Sequence, residues 1–141
     1  MTTPGDQARV PVTVVIAAHN EAAQIEACVR SVGWAAEILV VENDSSDDTV
    51  ARARSAGASV FSHPFRTIGA QRNAAIARAR HPWILVLDAD ERATPALGAE
   101  VARHLAQSGV DAFRVRRRNW FLGEEIRHSG WDRDRPVRLF R

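Results

Sequence analysis

The stretch WILVLDADE, residues 83–91, runs from five apolar residues directly into three acids. A short apolar run of this kind predicts a buried β-strand, and Asp88, Asp90 and Glu91 would then follow its carboxyl end. Like charges crowded at one point repel one another, so a positive charge is needed here to compensate them. The stretch therefore predicts a core strand that ends at a site for a cation or a basic group.

Further apolar runs alternate with helical patterns on both sides of this stretch. Strands are predicted at about 12–17, 37–43, 58–63, 82–88 and 111–118, and helices at 21–32, from about 46–48 to Gly57, at 68–81 and at 94–109. The order β-α-β-α-β-α-β-α-β predicts an α/β fold, in which a mainly parallel sheet is flanked by helices on both faces. Residues 119–141 show no clear period and are predicted to form loops with a short hairpin.

Two helices carry more detailed predictions. In the first, Ile25, Cys28, Val29 and Val32 are expected on one buried face, and in the helix at 68–81 the inward residues are expected to be Ile68, Ala75, Ile76 and Ala79. Thr94 is the expected cap of the last helix, and Pro95 suits its first turn.

Length and composition indicate one domain. The chain has 141 residues, of which 45% are hydrophobic and 26% charged, as in ordinary globular proteins. Residues 1–10 are predicted to be a disordered leader, and residues 11–141 the domain. The apolar runs are far shorter than a membrane span, and none resembles a signal peptide. A single cysteine, Cys28, excludes an internal disulfide and favours a cytoplasmic setting.

The basic residues are all arginine, and nine of the 19 lie in the last 28 residues. Arginine suits phosphate because its planar fork can donate to two oxygens at once. Two interpretations stay open. The tail forms either a solvated face or a surface for an anionic partner, such as a phosphorylated substrate or a lipid headgroup.

Ligands of parallel sheets bind at the carboxyl ends of the strands, which here selects residues 18–21, 42–45, 63–66 and 88–91. In the last of these, the D-x-D motif of Asp88 and Asp90 offers two carboxylates to one Mg²⁺ or Mn²⁺ ion. Such an ion would neutralise charge on a leaving diphosphate. The alternative is a solvated acidic turn that caps the next helix.

The second strand end, from Glu42 to Ser45, can bond a base edge or ribose hydroxyls, while the acids that follow favour a helix start. Glu21 either meets a nucleotide or begins a helix, and Arg72 is either a ligand for a base carbonyl or phosphate or a surface arginine. The chain contains no P-loop, dinucleotide-binding or zinc motif.

Four segments resemble, in order, the motifs of the family 2 glycosyltransferases, which have the GT-A fold: VTVVIAAHNEAAQIEACVRSV, ILVVENDSSDDT, IGAQRNAAIARA and WILVLDADE. The resemblance covers about residues 10–141. The tail is similar to the branch that includes lipopolysaccharide-core β-glucosyltransferases. The resemblance implies an inverting transfer from a nucleotide-diphosphate sugar, most often a UDP-sugar, to a cell-envelope glycan or lipid-linked acceptor. It also implies a Mg²⁺ or Mn²⁺ cofactor.

The resemblance also implies roles by position. The implied nucleotide-sugar-binding residues are Ala18, Glu21, Glu42, Asn43, Ser45, Arg72, Asp88 and Ala89. Within this set Glu42 or Asn43 contacts the uracil with Arg72 near it, and Asp88 approaches the ribose and the metal-bound water. Asp90 holds the metal against the diphosphate, with Asp88 as the second metal residue. Gln71 and Asn73 support the pocket, and Trp131 and Arg138 lie on the donor-sugar and acceptor side.

The chain departs from the family pattern at two points. Asp44 stands where relatives have a glycine, so a positive φ is expected there, which Asp tolerates better than most residues. Inverting transfer also needs a general base, and the candidates here are Asp132 and Asp134, neither in a motif that matches the family's base. Relatives are distinctly longer, so a truncated gene product is expected, with residues 119–141 beginning the acceptor-side region.

Alternatives from other classes remain. A non-catalytic nucleotide-sugar-binding module, or a remnant that lacks the base, would keep the strand-end acids and lose the acceptor half. A phospho-acceptor signalling domain is disfavoured because the chain has no lysine. Nucleic-acid binding is not expected, since no recognition helix accompanies the arginines. The expected location is the cytoplasm, with a peripheral contact at the inner face of the membrane.

Overall fold

The computed structural model describes residues 8–107, 109–130 and 133–141. The predictions made for residues 1–7, for Trp131 and for Asp132 lie outside these ranges. Val10 belongs to the first strand.

The elements alternate as predicted as far as the fifth strand. The helices are α1 (Ile25–Ser31), α2 (Thr49–Ser55), α3 (Ile68–Ile76) and α4 (Pro95–Leu105). The strands are β1 (Val10–Ala18), β2 (Ala35–Glu42), β3 (Ser59–Ser62), β4 (Trp83–Asp88), β5 (Ala112–Arg114), β6 (Trp120–Phe121), β7 (Glu124–Glu125) and β8 (Val137–Phe140). None of the helices within the described ranges is long and apolar enough to cross a membrane.

Six strands form the main sheet in the order β3-β2-β1-β4-β8-β5. The first four strands are mutually parallel, and β8 runs antiparallel to both of its neighbours. The α/β fold with a mainly parallel sheet is therefore confirmed. The predicted hairpin in the tail is also confirmed, because β6 pairs with β7.

Two predictions about the last part of the sheet were wrong. The fifth strand covers 112–114 rather than 111–118, and the supposed loop region 119–141 contains β8, which separates β5 from β4. Leu85 of β4 pairs with Leu139 of β8, more than 50 residues along the chain. A strand of four residues is too short to show a hydrophobic periodicity from which it could be predicted. Its pairing depends on contacts between distant parts of the chain.

The sheet buries one apolar layer on each face. On one side α1 packs with Ile25, Cys28 and Val29, which have no exposed surface, and Val32 just after the helix is equally buried. This confirms the predicted face of α1. On the other side α3 covers the sheet through Ala75, which packs in the second buried layer.

Ile68 was predicted to face inward, but it is 49% exposed. It is the first residue of α3 and lies two turns, about 10 Å, before Ala75, beyond the part of the helix that packs on the sheet. Thr67 caps this helix, since its hydroxyl accepts a hydrogen bond from the Ala70 amide. Thr94 does precede α4, with Pro95 in the first turn, but its side chain makes no capping bond.

Candidate functional site

The strand register brings the predicted strand ends to one edge of the sheet. Ala18 of β1 lies beside Glu42 of β2, Glu42 lies beside Ser62 of β3, and Ala17 lies beside Asp88 of β4. Neighbouring strands are about 4.8 Å apart, so Glu42 and Asp88 are separated by about 10 Å across this edge. That span suits a ligand of nucleotide size.

The acids after β4 form a compact group, which we call the acidic cluster: Asp88, Asp90 and Glu91. Carboxylate oxygens of all three lie within 4.8 Å of one another. The Glu91 amide donates to the Asp88 carbonyl at 2.9 Å, which closes a turn, and Ala89 is buried in the core. Because the Ala89 methyl points inward, a ligand could contact this residue only through its backbone.

The compensating positive charge is supplied by arginines from three separate parts of the chain. Arg72 of α3 binds Asp88 at 2.6 Å. Arg138 of β8 binds both Asp88, at 3.3 Å, and Glu91, at 3.1 Å. Arg117, after β5, has its guanidinium 4.0 Å from Glu91. Asp88 and Glu91 are thus bound by arginines of the chain itself, and Arg138 reaches them only because β8 lies next to β4.

Protonation differs between the two partly buried acids. Burial, together with a hydrogen bond to Asp88, raises the pKa of Glu91 to about 7. Burial acts in the same direction on Asp88, but the bond with Glu91 and the charges of Arg138 and Arg72 outweigh it and lower the pKa of Asp88. Near neutral pH Glu91 is therefore about half protonated, while Asp88 stays ionised.

Cys28 lies beneath this turn. Its thiol donates to the Asp88 carbonyl at 3.4 Å, and burial raises its pKa to about 12. A thiol of this kind is not a nucleophile at neutral pH, so Cys28 acts by packing.

The loops after β1 and β2 are tied together by their own polar groups. The Asn20 amide donates to the Ser45 hydroxyl at 3.1 Å, and the Ser46 amide donates to the Asn20 side chain at 2.8 Å. The Glu21 amide donates to the Thr49 hydroxyl at 2.9 Å. These bonds hold the predicted site residues Glu21 and Ser45 on one shared wall.

Glu42 belongs to the interior of this wall. It is 5% exposed, and its carboxylate accepts from the Ser45 amide at 3.0 Å and from the Ser62 hydroxyl. Burial would raise the pKa of Glu42, but these bonds lower it, so the group is ionised. Asn43 is half-buried and stands nearer the surface, and Asp44 has the expected positive φ, at 45°.

Helix α3 contributes residues of two kinds. Gln71 is 1% exposed, and its side-chain amide donates to the His63 carbonyl at 2.8 Å, which anchors the loop after β3. Arg72 and Asn73 instead line an open groove of about 410 Å³ between α3 and β8, with Arg138 on its other side.

Of the two base candidates, only Asp134 lies in a described range. Its carboxylate is bound by two nitrogens of Arg117, one of them the Nε at 2.7 Å. Asp134 is therefore tied to a cation that also faces the acidic cluster.

A divalent cation fits the donors of the acidic cluster. Carboxylate oxygens are the ligands that Mg²⁺ and Mn²⁺ prefer. Asp90 is exposed and makes no hydrogen bond or ion pair with any residue in the described ranges, so its oxygens are accessible. Glu91 was not among the residues predicted for the metal, although its position directly after the D-x-D motif was a signal for it.

Comparison with known proteins identifies the family. Residues 13–140 match the profile of glycosyl transferase family 2, so the chain belongs to this family. It is 31% identical over 139 residues to the lipopolysaccharide core biosynthesis glycosyltransferase LpsC of Rhizobium meliloti (strain 1021), with 94% of this chain and 52% of LpsC covered. It is 35% identical over 103 residues to an uncharacterized glycosyltransferase of Rickettsia bellii, covering 72% of this chain and 35% of that protein.

Solved structures agree with this assignment and with the GT-A fold. Glucosyl-3-phosphoglycerate synthase from Mycobacterium tuberculosis, in complex with Mn²⁺, UDP and phosphoglyceric acid, superposes with a TM-score of 0.61 at 28% identity, covering 72% of this chain and 41% of that one. The same enzyme with Mg²⁺ and UDP gives a TM-score of 0.58 at 27% identity, with the same coverage. The chain thus spans about half the length, or less, of the relatives it matches.

Proposed function

We propose that this chain binds a nucleotide-diphosphate sugar, preferably a UDP-sugar, and serves its inverting transfer to a cell-envelope glycan or lipid-linked acceptor. The observation that supports this most is the acidic cluster at the end of β4, about 10 Å from the wall formed by the loops after β1 and β2. The likeness to LpsC and to an enzyme solved with UDP and Mn²⁺ supports the class of donor and acceptor.

In this proposal the uridine lies against the wall. Asn43 contacts the uracil, because Glu42 is buried and its oxygens are already used by Ser45 and Ser62. Ala18 and Glu21 complete the pocket.

The diphosphate lies at the other end, over the acidic cluster. Asp90, with Asp88 and Glu91, would hold Mg²⁺ or Mn²⁺, which when bound neutralises charge on the leaving diphosphate. Arg72 and Arg138 can turn from Asp88 to phosphate oxygens, since guanidinium groups bind both kinds of anion. Glu91 must give up its proton when a cation binds, because metal ligands are bound in their deprotonated form.

The acceptor hydroxyl attacks the anomeric carbon and must lose its proton to a base. Asp134 can serve only if Arg117 releases it, and Asp132 remains a candidate. The bond between Arg117 and Asp134 favours a second function, in which the chain binds the donor without turnover. The proposed setting is the cytoplasm, at the inner face of the membrane, with no nucleic-acid partner.

Calorimetric titration of UDP, with GDP and ADP as controls and with or without Mn²⁺, tests the donor site. We expect Mn²⁺-dependent binding of UDP, weakened at least tenfold by Asp90→Asn. Asp111→Asn is the matched control, because Asp111 is an exposed acid outside the site. The absence of nucleotide binding in every condition would contradict the proposal. If UDP does bind, an assay for the release of glucose from UDP-glucose, or for its transfer, distinguishes turnover from binding alone.

A further inference from the structure

The hairpin formed by β6 and β7 places three large apolar side chains in solvent. Trp120 is 61% exposed, Phe121 is 67% exposed and Leu122 is 89% exposed. Adjacent residues of a strand point to opposite faces, so exposure of both Trp120 and Phe121 means that neither face of β6 packs on the domain. Exposed apolar side chains grouped in this way are typical of a surface that binds another molecule or a membrane.

The turn of this hairpin has a leucine at a position that usually takes asparagine or glycine. Trp120 pairs with Glu125 and Phe121 with Glu124, which leaves Leu122 and Gly123 as a two-residue turn. Both have positive φ, 50° for Leu122 and 84° for Gly123. Turns of this kind favour Asn-Gly, and a leucine in the left-handed region is strained. The turn thus places at its tip Leu122, the most exposed large apolar side chain among the described residues.

Arginines surround the base of the same hairpin. A cavity of about 330 Å³ is lined by Arg116, Arg117, Arg118, Glu125, Ile126 and Arg127. Glu125 pairs with Arg127 at 3.2 Å and lies 3.9 Å from Arg118. Arg116 is exposed and makes no ion pair within the described part of the chain. The base of the hairpin therefore carries more positive than negative charge.

We propose that this hairpin docks on an anionic bilayer, with the Trp120, Phe121 and Leu122 side chains in the headgroup region and the arginines on lipid phosphates. Aromatic and basic side chains together are typical of such contacts. A protein partner is less well matched. The exposed fractions of these three side chains amount to about 450 Å² of apolar surface, whereas a stable interface needs about 800 Å² per partner.

The docking would also orient the acidic cluster. Arg117 belongs to the segment that leads into the hairpin, and its guanidinium lies 4.0 Å from the Glu91 carboxylate. The base of the hairpin is therefore next to the proposed donor site. A lipid-linked acceptor would then reach the site from the bilayer. This last consequence rests on the proposed function, whereas docking itself does not.

The test is flotation of the 141-residue chain with vesicles of phosphatidylcholine alone and with 30% phosphatidylglycerol. We expect binding to the anionic vesicles, weakened by 0.5 M salt. Leu122→Asn should lower the affinity at least tenfold, and because Asn-Gly suits the turn, this change does not disturb the hairpin. Phe65→Ser, which changes an exposed apolar residue outside the hairpin, should leave the affinity for the vesicles unchanged within twofold. Arg116→Gln should weaken binding, and Arg103→Gln on α4 should not.

Bromine-labelled lipid should quench the tryptophan fluorescence of the wild-type chain, and Trp120→Phe should remove most of the quenching. Three results would overturn the proposal: no binding to anionic vesicles, equal binding by Leu122→Asn, or hairpin variants that lower self-association in sedimentation while vesicle binding is unchanged. The last result would identify a second copy of the chain as the partner. UDP titration of the same proteins reports on the donor site separately, so failure of one proposal is distinguishable from failure of the other.

Discussion

Replacing Arg138 with glutamine measures how far that arginine stabilises the acidic cluster. Its side chain is 11% exposed and donates to Asp88 at 3.3 Å and to Glu91 at 3.1 Å. A hydrogen bond to a charged group contributes about 1.5–3 kcal/mol, but Asp88 is partly exposed and solvent screening reduces its share. We expect Arg138→Gln to lower the free energy of unfolding by about 2 kcal/mol in metal-free buffer, or the Tm by about 7 °C.

Thermal unfolding followed by circular dichroism in EDTA, and then in Mn²⁺, provides the measurement. A bound cation supplies the charge that Arg138 supplied, so Mn²⁺ should raise the Tm of Arg138→Gln more than that of the wild type. Arg141→Gln is the matched control on the same segment. Its pair with Asp111 is exposed, at 45% and 75% for the two side chains, and its guanidinium lies 5.5 Å from the centre of the Trp83 ring. Loss of both contacts should cost less than about 1 kcal/mol.

Equal Tm values for Arg138→Gln and the wild type in EDTA would refute the stabilising role of the arginine. Equal shifts on addition of Mn²⁺ would refute the idea that arginine and cation neutralise the same carboxylates. A loss as large in Arg141→Gln would show that the segment, and not the ion pair, is responsible.

Three further predictions concern the packing of the fold. Burial alone would raise the pKa of Glu37, but the bonds from Arg80 outweigh it and lower the pKa below 4.5. In urea unfolding, Glu37→Gln should therefore lower the free energy of unfolding by about 1–2 kcal/mol at pH 7. The difference between the variant and the wild type should shrink below pH 4.5, where Glu37 becomes protonated. Gly98→Ala should cost about 1 kcal/mol, because the new Cβ would lie 2.8 Å from the Trp34 ring, an overlap that outweighs the gain in helix propensity. Cys28 should resist thiol reagents at pH 8 until the chain unfolds, as its pKa of about 12 requires.

The parallel half of the molecule could be predicted because its signals are local. Apolar runs, helix starts and the acids after WILVL each lie within a few residues, and the rules for α/β sheets then place the strand ends together. The buried face of α1 and the positive φ of Asp44 followed from the same kind of local information.

The remainder depends on contacts between distant parts of the chain. That Asp88 is bound by both Arg72 and Arg138 is visible only once α3 and β8 are in place. The burial of Glu42 depends likewise on Ser62, which a neighbouring strand brings to it. No spacing within the sequence encodes these pairings. The motifs therefore pointed to the candidate site, but the ion pairs within it could be found only from the fold.

The insertion of β8 between β4 and β5 also determines how the sheet can open. β5 pairs with β8, and within the main sheet it has no other neighbour, so its amides lose protection whenever β8 detaches. The four parallel strands keep their own ladders in such an opening, which makes β5 and β8 one cooperative unit for hydrogen exchange. Arg138 leaves the acidic cluster in the same event, so the charge balance of the site is coupled to the opening of the sheet at this edge.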